Sequence, residues 1–122
     1  MKYLIMLYPD AEVLDALSQE ERNAVFQGHG DFMEAVKASG EFVGTFALAG
    51  PDQGAVVRVR GGVPAVTDGP YAEAKELVGG AYVIDVKDRE RAIEVAAMIP
   101  DAKIEGLGVE VRPIVFSDGA AA

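Results

Sequence analysis

The hydrophobic residues of this chain fall into segments with strand-like and helix-like spacing. Residues 2–8 are apolar on both faces, which is typical of a strand that is covered from both sides. The Gly-Gly pair at positions 61–62 separates Ala55–Arg60 from Val63–Thr67 and therefore predicts a two-residue β-hairpin. Three further strands are predicted over Phe42–Ala49, Leu77–Val86 and Val109–Phe116.

Two helices are predicted between these strands. The first runs over Ser18–Ser39, and Ser18 together with Glu21 matches a capping box at its start. The second runs over Asp88–Ile99, with Asp88 as its cap. The expected apolar stripes are Val25, Phe32, Met33 and Val36 in the first helix and Ala92, Ile93, Ala96 and Ile99 in the second.

The order of these elements, β-α-β-hairpin-β-α-β, predicts an α+β fold, a ferredoxin-like βαββαβ plan with an inserted β-hairpin. We expect one domain over residues 1–116 and a flexible C-terminal tail at 117–122. Two helices cover only one face of such a sheet, yet three of the strands are apolar on both faces. We therefore expect a homodimer whose sheets pack face to face. The alternative is that the hairpin and loops cover the second face within one chain.

Composition narrows the class of protein. The net charge of −9 argues against direct nucleic-acid binding, because phosphate contacts need a basic surface. No apolar run approaches the ~18 residues of a membrane span. The chain has no cysteine, which excludes disulfides and thiolate metal sites, and it has none of the common metal-ligand spacings. We expect a cytoplasmic domain that uses neither a metal nor a cofactor.

The most specific local string is Thr67-Asp68-Gly69-Pro70-Tyr71, at the end of the hairpin. Pro70 suits the first position of a short helix and favours an extended Gly69 before it. Asp68 can cap that helix, or its carboxylate can face a cleft in which the helix amides receive an anionic group. A purely structural Asp-Gly-Pro turn is the simpler interpretation.

This string resembles the motif of the YCII-related family, and more narrowly that of its DGPF-type members. The residues that carry the resemblance are Val66–Tyr71, Glu73, Lys75, Glu76, Gly79 and Gly80. The first strand and Val109–Ile114 are also similar to the first and last strands of that family, so the resemblance covers nearly the whole chain. Tyr71 stands where the family name has phenylalanine. The resemblance implies a ferredoxin-like chain that dimerises into an αβ barrel.

The resemblance also implies a helix histidine and a loop aspartate as an active-site pair, which fall at His29 and Asp68 in this sequence. Gly69, Pro70 and Tyr71 are then the expected binding residues for a small-molecule substrate. DGPF-type proteins are similar to modules found beside, or fused to, extracytoplasmic-function sigma factors. A sigma-factor partner and a link to transcription regulation are therefore implied as well.

His29 can also be assessed from chemistry alone. Imidazole exchanges protons near neutral pH, so His29 can act as a general acid or base if Asp68 or Asp31 orients it. Gly28 and Gly30 flank it, although a glycine costs about 1 kcal/mol in a helix interior. Either the helix is loosened there or another segment approaches its backbone closely. The alternative role for His29 is a core histidine with one satisfied hydrogen bond.

Three functional interpretations follow from the sequence. The first is a small cofactor-independent enzyme, isomerase- or lyase-like, in which His29 transfers a proton beside a carbonyl and Asp68 orients it. The second is a non-catalytic ligand-binding or regulatory dimer, and the third is a purely structural role for both residues. Arg58 and Arg60 form either a solvated hairpin face or an anion clamp. Lys75 either braces the motif loop or lines the cleft.

Overall fold

The computed structural model describes residues 1–71 and 77–119. The β-strands in these ranges are β1 (Lys2–Leu7), β2 (Phe42–Ala47), β3 (Ala55–Arg60), β4 (Val63–Asp68), β5 (Gly80–Asp85) and β6 (Val109–Pro113). The α-helices are α1 (Ala11–Asp15), α2 (Gln19–Ala38) and α3 (Arg89–Ala96), and short 3₁₀ helices cover Pro51–Gln53 and Pro100–Lys103. None of the helices in these ranges is both long enough and apolar enough to span a membrane.

Four of the strands form one antiparallel sheet in the order β2-β5-β1-β6. Helix α2 connects β1 to β2, and α3 connects β5 to β6, so each helix crosses over a strand that lies between the two it joins. This is the ferredoxin-like βαββαβ arrangement, and the predicted α+β fold class is confirmed. Strands β3 and β4 are the insertion and pair with each other in a separate two-stranded sheet.

The hydrophobic core lies between the four-stranded sheet and the helices α2 and α3. The register places Tyr3 opposite Ile84 and Ile5 opposite Tyr82, so these side chains share the face that the helices cover. Each core residue is at most 4% exposed; they are Tyr3, Ile5, Phe32, Val36, Tyr82, Ile84, Val86, Ala92, Val95, Ala96 and Ile99. Burial of their apolar surface is the main stabilising contribution to the fold.

Helix α2 begins and ends where its sequence indicates. The Ser18 hydroxyl accepts a hydrogen bond from the backbone N–H of Glu21 (3.1 Å), and the Glu21 carboxylate accepts one from the backbone N–H of Ser18 (2.8 Å). Ser39 closes the helix, and Gly40 follows with a φ of 79°, which favours glycine. The capping-box prediction is confirmed.

Three features of the helices differ from the prediction, and the first is that α3 ends at Ala96 rather than at Ile99. The sequence pattern did not indicate α1, a helix of five residues whose cap, Asp10, accepts hydrogen bonds from the backbone N–H groups of Glu12 and Val13. In α3, Val95 is fully buried, whereas Ile93, which was expected to be buried, is 44% exposed. The buried stripe follows the spacing i, i+3, i+4, i+7, as Ala92, Val95, Ala96 and Ile99.

Four strands are shorter than predicted: β1 ends at Leu7, β2 ends at Ala47, β5 covers only Gly80–Asp85 and β6 ends at Pro113. After Ala47 and before Gly80, the pairing continues only through single backbone hydrogen bonds. The N–H of Leu48 donates to the carbonyl of Gly79, and the N–H of Gly79 donates to the carbonyl of Leu7, each at 2.8 Å. After β6, Val115 and Phe116 are 98% and 82% exposed, so the predicted strand does not extend to them.

The hairpin formed by β3 and β4 is confirmed. Gly61 and Gly62 have φ values of 56° and 78°, which suit the two central positions of a tight hairpin turn. Directly opposite residues share a face, and the pairs Val57–Val66 and Val59–Pro64 make one face apolar. All four residues of this apolar hairpin face are exposed.

Candidate functional site

The ring of His29 lies between β5 and the 3₁₀ helix that follows α3. Its Nδ1 is 2.6 Å from the hydroxyl oxygen of Tyr82, and its Nε2 is 2.7 Å from Oδ1 of Asp101. The side chains of His29 and Asp101 are 23% and 14% exposed, so both are largely withdrawn from solvent. Tyr82 and Asp101 lie 53 and 72 residues after His29, and the tertiary fold alone brings the three together.

The hydrogen-bonding capacities of the three groups fix the direction of the two contacts. An ionised Asp101 can only accept a hydrogen bond, so Nε2 of His29 carries a proton and donates the hydrogen bond to Asp101. In the neutral ring Nδ1 is then an acceptor, and the Tyr82 hydroxyl donates to it. Protonation at Nδ1 reverses that second bond and creates an ion pair with Asp101. The arrangement can therefore take up and release one proton at Nδ1 while Asp101 holds the ring in place.

Tyr82 connects this trio to the core. It is 4% exposed, and its ring meets Phe32 edge-on at a centroid distance of 4.8 Å, while the His29 ring stacks beside it at 5.9 Å. Burial raises the pKa of the Tyr82 phenol above its ordinary value of 10.0, and the negative charge of Asp101 raises this pKa further. The phenol therefore keeps its proton near neutral pH and can donate a hydrogen bond.

Gly28 allows Asp101 to reach the histidine. A Cβ atom at position 28 would lie 2.6 Å from Cγ of Pro100, which is closer than carbon atoms can pack. The glycine thus lets the 3₁₀ helix Pro100–Lys103 pack directly on α2, and Asp101 follows Pro100. The close approach of another segment, one of the two sequence interpretations of the glycines around His29, is observed at this position.

His29 and Tyr82 form the polar end of a cavity of about 420 Å³ between α2 and the sheet. Its apolar lining includes Leu7, Phe26, Gly30, Met33, Ala47 and Gly80. Cavities that bind small molecules commonly have this size and this combination of apolar walls with a few convergent polar groups. The trio is therefore placed where a small molecule can reach it.

A larger cavity of about 880 Å³ lies beside α1 and does not contain the imidazole. The Glu110 carboxylate in its wall accepts a hydrogen bond from the Tyr8 hydroxyl and is paired with Arg112. These two hydrogen bonds lower the pKa of Glu110. Asp10, the other carboxylate among the described residues of that wall, caps α1. Both acidic groups already have structural partners, so we assign the candidate site to the smaller cavity.

The expected contact between His29 and Asp68 is not made, because both ring nitrogens have other partners. Asp68 is the last residue of β4, is exposed, and lies opposite Ala55 in the two-stranded sheet. Gly69 has a φ of 97°, in the region that favours glycine, rather than the expected extended conformation, and its N–H donates to the carbonyl of Gly54. The motif aspartate thus ends a hairpin strand, and Asp101 orients the histidine instead.

The rest of the predicted binding string lies at the surface. Pro70 is exposed and Tyr71 is 50% exposed, and the guanidinium of Arg58 lies 5.1 Å from the centre of the Tyr71 ring. This cation–π contact joins β3 to the motif. The substrate-binding role of Gly69, Pro70 and Tyr71 stays a prediction. The short helix expected to begin at Pro70, together with Lys75, falls mostly on residues 72–76, outside the described residues.

Sequence reasoning missed Tyr82 and Asp101. Tyr82 is the only residue with a side-chain hydroxyl in β5, a feature that marks it as a polar group within a buried strand. Asp101 follows the proline after α3, a position that acidic residues often occupy for structural reasons alone. Within the described ranges, no group of three or more His, Cys, Asp or Glu side chains fits a metal ion.

Comparison with known proteins places the chain in a family. The model of the YCII-related domain matches residues 1–117. An uncharacterised protein of Rhizobium meliloti (strain 1021) is 30% identical over 116 residues, and this alignment covers 95% of the chain and 94% of that relative. The family match therefore spans both sheets and every residue of the candidate site.

Proposed function

The chain belongs to the YCII-related family, and from the trio at its cavity we propose that it is a small enzyme that moves a proton on a carbonyl compound without a cofactor. The observation that supports this proposal is the imidazole of His29, which has a carboxylate on one nitrogen, a phenol on the other and an apolar cavity beside it. This combination suits general acid–base chemistry.

The proposed step begins when the Tyr82 hydroxyl turns from Nδ1 of His29 to the carbonyl oxygen of the substrate. Nδ1 is then free to accept the proton from the carbon beside the carbonyl. The C–H bond breaks, its electron pair forms the C=C bond of an enolate, and the Tyr82 hydroxyl stabilises the oxygen anion. Asp101 stabilises the imidazolium. Return of the proton from Nδ1 to the same or a neighbouring carbon gives exchange or isomerisation.

Deuterium exchange tests this step without knowledge of the natural substrate. The protein is incubated in D₂O with cyclohexanone, acetophenone and similar ketones, and deuterium at the α-carbon is followed by NMR. We expect exchange faster than in buffer, and a loss of about 100-fold or more in His29→Gln. Asp101→Asn should lose about ten- to a hundredfold, because a charge-assisted hydrogen bond contributes about 1.5–3 kcal/mol.

A second measurement separates positioning from folding for Asp101. The chain has one histidine, so nitrogen NMR reports the tautomer of His29 alone. The proton should reside on Nε2 in the wild type and be shared between the two nitrogens in Asp101→Asn, with the fold unchanged by circular dichroism. If no ketone exchanges above the buffer rate, the enzyme proposal is wrong. If Asp68→Asn removes exchange and Asp101→Asn does not, the pair expected from the sequence is the functional one.

The homodimer expected from the sequence is the second part of the proposal. The apolar hairpin face, formed by Val57, Val59, Pro64 and Val66, is exposed, and an isolated two-stranded hairpin is marginally stable in water. On the sheet face away from the helices, Phe46 shares its register position with Met6 and Ala81 and is 47% exposed. A second copy that covers these surfaces would bury apolar area on both chains.

Sedimentation equilibrium tests the dimer. We expect a particle of two chains for the wild type and a shift to single chains for the double variant Val57→Lys, Val66→Lys. Arg60→Lys, a charge-preserving change on the opposite hairpin face, is the control. A single-chain particle at all concentrations would exclude the dimer. The sigma-factor partner stays a prediction from the family resemblance.

A further inference from the structure

The cavity beside His29 is a hollow between small residues. Across the sheet, Leu7, Gly80 and Ala47 lie in one row, and α2 places Gly30 in the opposite wall. Helix and sheet normally fill such a gap with interlocking side chains, because protein interiors are closely packed. Here two glycines and an alanine leave a space of about 420 Å³.

Neither the backbone conformation nor a close neighbour requires a glycine at position 30. Gly30 is not one of the described glycines with a positive φ, and a Cβ atom built on it has no neighbour within 4 Å. Gly80 is different, because a Cβ there would lie 2.7 Å from the carbonyl oxygen of Phe46. A helix-interior glycine costs about 0.5–1 kcal/mol relative to alanine. Gly30 therefore lines the cavity without placing a side chain in it.

The polar groups of the cavity favour an uncharged ligand. Among the described lining residues, His29 is the one side chain that can carry a charge, and Asp101 lies on its far nitrogen to balance that charge. An anionic ligand would therefore face a compensated imidazole, and a cationic one would find no carboxylate in the described lining. A charge without a partner is costly to bury in apolar surroundings.

The remaining lining defines the shape and the single anchoring point. The Thr45 hydroxyl donates to the carbonyl of Ala81 at 2.9 Å, so it already has a partner, and the hydroxyl of Tyr82 with Nδ1 of His29 remains as the anchor. Phe26 lines the cavity from α2 and is 84% exposed, an unusual state for a phenyl ring. A flat ring in the cavity can pack against it.

We propose that the cavity beside His29 binds a neutral, ring-sized apolar compound with one hydroxyl or carbonyl oxygen, and that Gly30 is the residue that admits it. The oxygen meets Tyr82 and His29, and the ring occupies the space between Gly30 and the small residues of the sheet. This assignment rests on the same site as the proposed function and names the class of substrate that the site accepts.

Three probes with one ring system test the assignment by binding alone. Naphthol is neutral with one hydroxyl, naphthoate is anionic, and naphthalene has no polar group. Binding is measured by fluorescence, and NMR of the His29 ring locates the probe. We expect naphthol to bind about tenfold or more tightly than naphthoate and severalfold more tightly than naphthalene. In Tyr82→Phe, the affinity for naphthol should fall severalfold toward that for naphthalene, because one of the two anchoring groups is lost.

Variants of α2 test the role of Gly30. Gly30→Leu should weaken naphthol binding by about tenfold or more, because its side chain enters the cavity, whereas Ala35→Leu, on the exposed side of the same helix, should change the affinity less than about twofold. Phe26→Ala, at an exposed position, should weaken binding severalfold and serves if Gly30→Leu does not fold.

The outcomes separate this inference from the proposed function. Naphthoate binding as tightly as naphthol, unchanged binding in Gly30→Leu, or no binding of any probe would overturn the inference. A protein that binds naphthol as expected but exchanges no deuterium keeps the ligand class and loses the proposed proton transfer. A protein that exchanges deuterium but prefers naphthoate keeps the reaction and loses the ligand class.

Discussion

In the four-stranded sheet Tyr82 is 4% exposed and packs against Phe32, whereas in the β3–β4 hairpin Val57 and Val66 are 62% and 63% exposed. The hairpin ends in Asp68-Gly69-Pro70-Tyr71, the string that most specifically indicates the family. The four-stranded sheet contributes Tyr82 to the trio of His29, Tyr82 and Asp101, and no short motif marks that trio. A sequence motif that identifies a family and a site that the tertiary structure assembles are therefore different kinds of information, and here they lie in different parts of the fold.

The physical basis of the difference is the number of surfaces that each sheet shares with the rest of the chain. The four-stranded sheet has α2 and α3 on one face, so its side chains are fixed by packing as well as by backbone hydrogen bonds. The hairpin is held by the β3–β4 ladder and by contacts at its base, such as the Gly69–Gly54 hydrogen bond. Precise placement of reactive groups needs the first kind of support.

The largest expected difference between the two regions comes from shortening one valine to alanine in each of them. Val36→Ala in α2, at a position that is 1% exposed, should lower the free energy of unfolding by about 2 kcal/mol, because it leaves a cavity in the core. Val66→Ala in the hairpin should change it by less than about 0.5 kcal/mol. Urea unfolding of both variants at low protein concentration measures the difference.

The result also depends on whether the apolar hairpin face is covered in solution. If Val66→Ala costs as much as Val36→Ala, and its cost grows with protein concentration, a second copy of the chain packs on the hairpin. If the cost is equally large at every concentration, the hairpin packs within its own chain, and the contrast between the two sheets is wrong.

The sequence predicted those parts of the fold that depend on neighbouring residues. The capping box at Ser18, the cap at Asp88 and the glycine pair of the hairpin each act within a few positions, and each is found where expected. Helix α1 was missed because five residues are too few to show a helical period. The Ile93 assignment failed because Val95 fits the same face equally well in so short a helix.

The candidate site could be predicted only in part for the same reason. His29 was identifiable from its single occurrence and its place in the stripe of α2. Its partners depend on the register of β5 and on how the segment after α3 packs against Gly28, and neither is encoded locally. Two glycines around a histidine indicated a special site, but their separate roles, close approach at Gly28 and open space at Gly30, emerge from the tertiary structure.

A smaller effect tests those separate roles of the two glycines. Gly30→Ala should raise the free energy of unfolding by about 0.5–1 kcal/mol, because alanine is the better helix former and the space is open. Gly28→Ala should lower it by about 1–2 kcal/mol, because the new Cβ displaces Pro100. Nitrogen NMR should also show the His29 proton shared between both ring nitrogens in Gly28→Ala only. Equal effects of the two substitutions on stability would contradict the assigned roles.

The smallest expected effect comes from removing the charge of one carboxylate at each sheet, Glu41 before β2 and Asp68 at the end of β4. Before β2, the Glu41 carboxylate accepts two hydrogen bonds from the guanidinium of Arg91, at 2.8 and 2.9 Å. This contact lowers the pKa of Glu41 below its ordinary value of 4.5. The folded chain therefore favours the ionised form, and the stabilisation is fully present above pH 4.5 and is lost as the pH falls through the lowered pKa of Glu41.

Glu41→Gln should accordingly lower the melting temperature near neutral pH by a few degrees, and the difference from the wild type should shrink as the pH is brought below 4.5. Asp68→Asn, at the exposed end of the hairpin, should leave the melting temperature nearly unchanged at both pH values, since surface substitutions have small effects. Calorimetry across the pH range measures both. A Glu41→Gln difference that stays constant in acid would show that the substitution acts by changing packing rather than by removing the charge pair, because packing does not titrate.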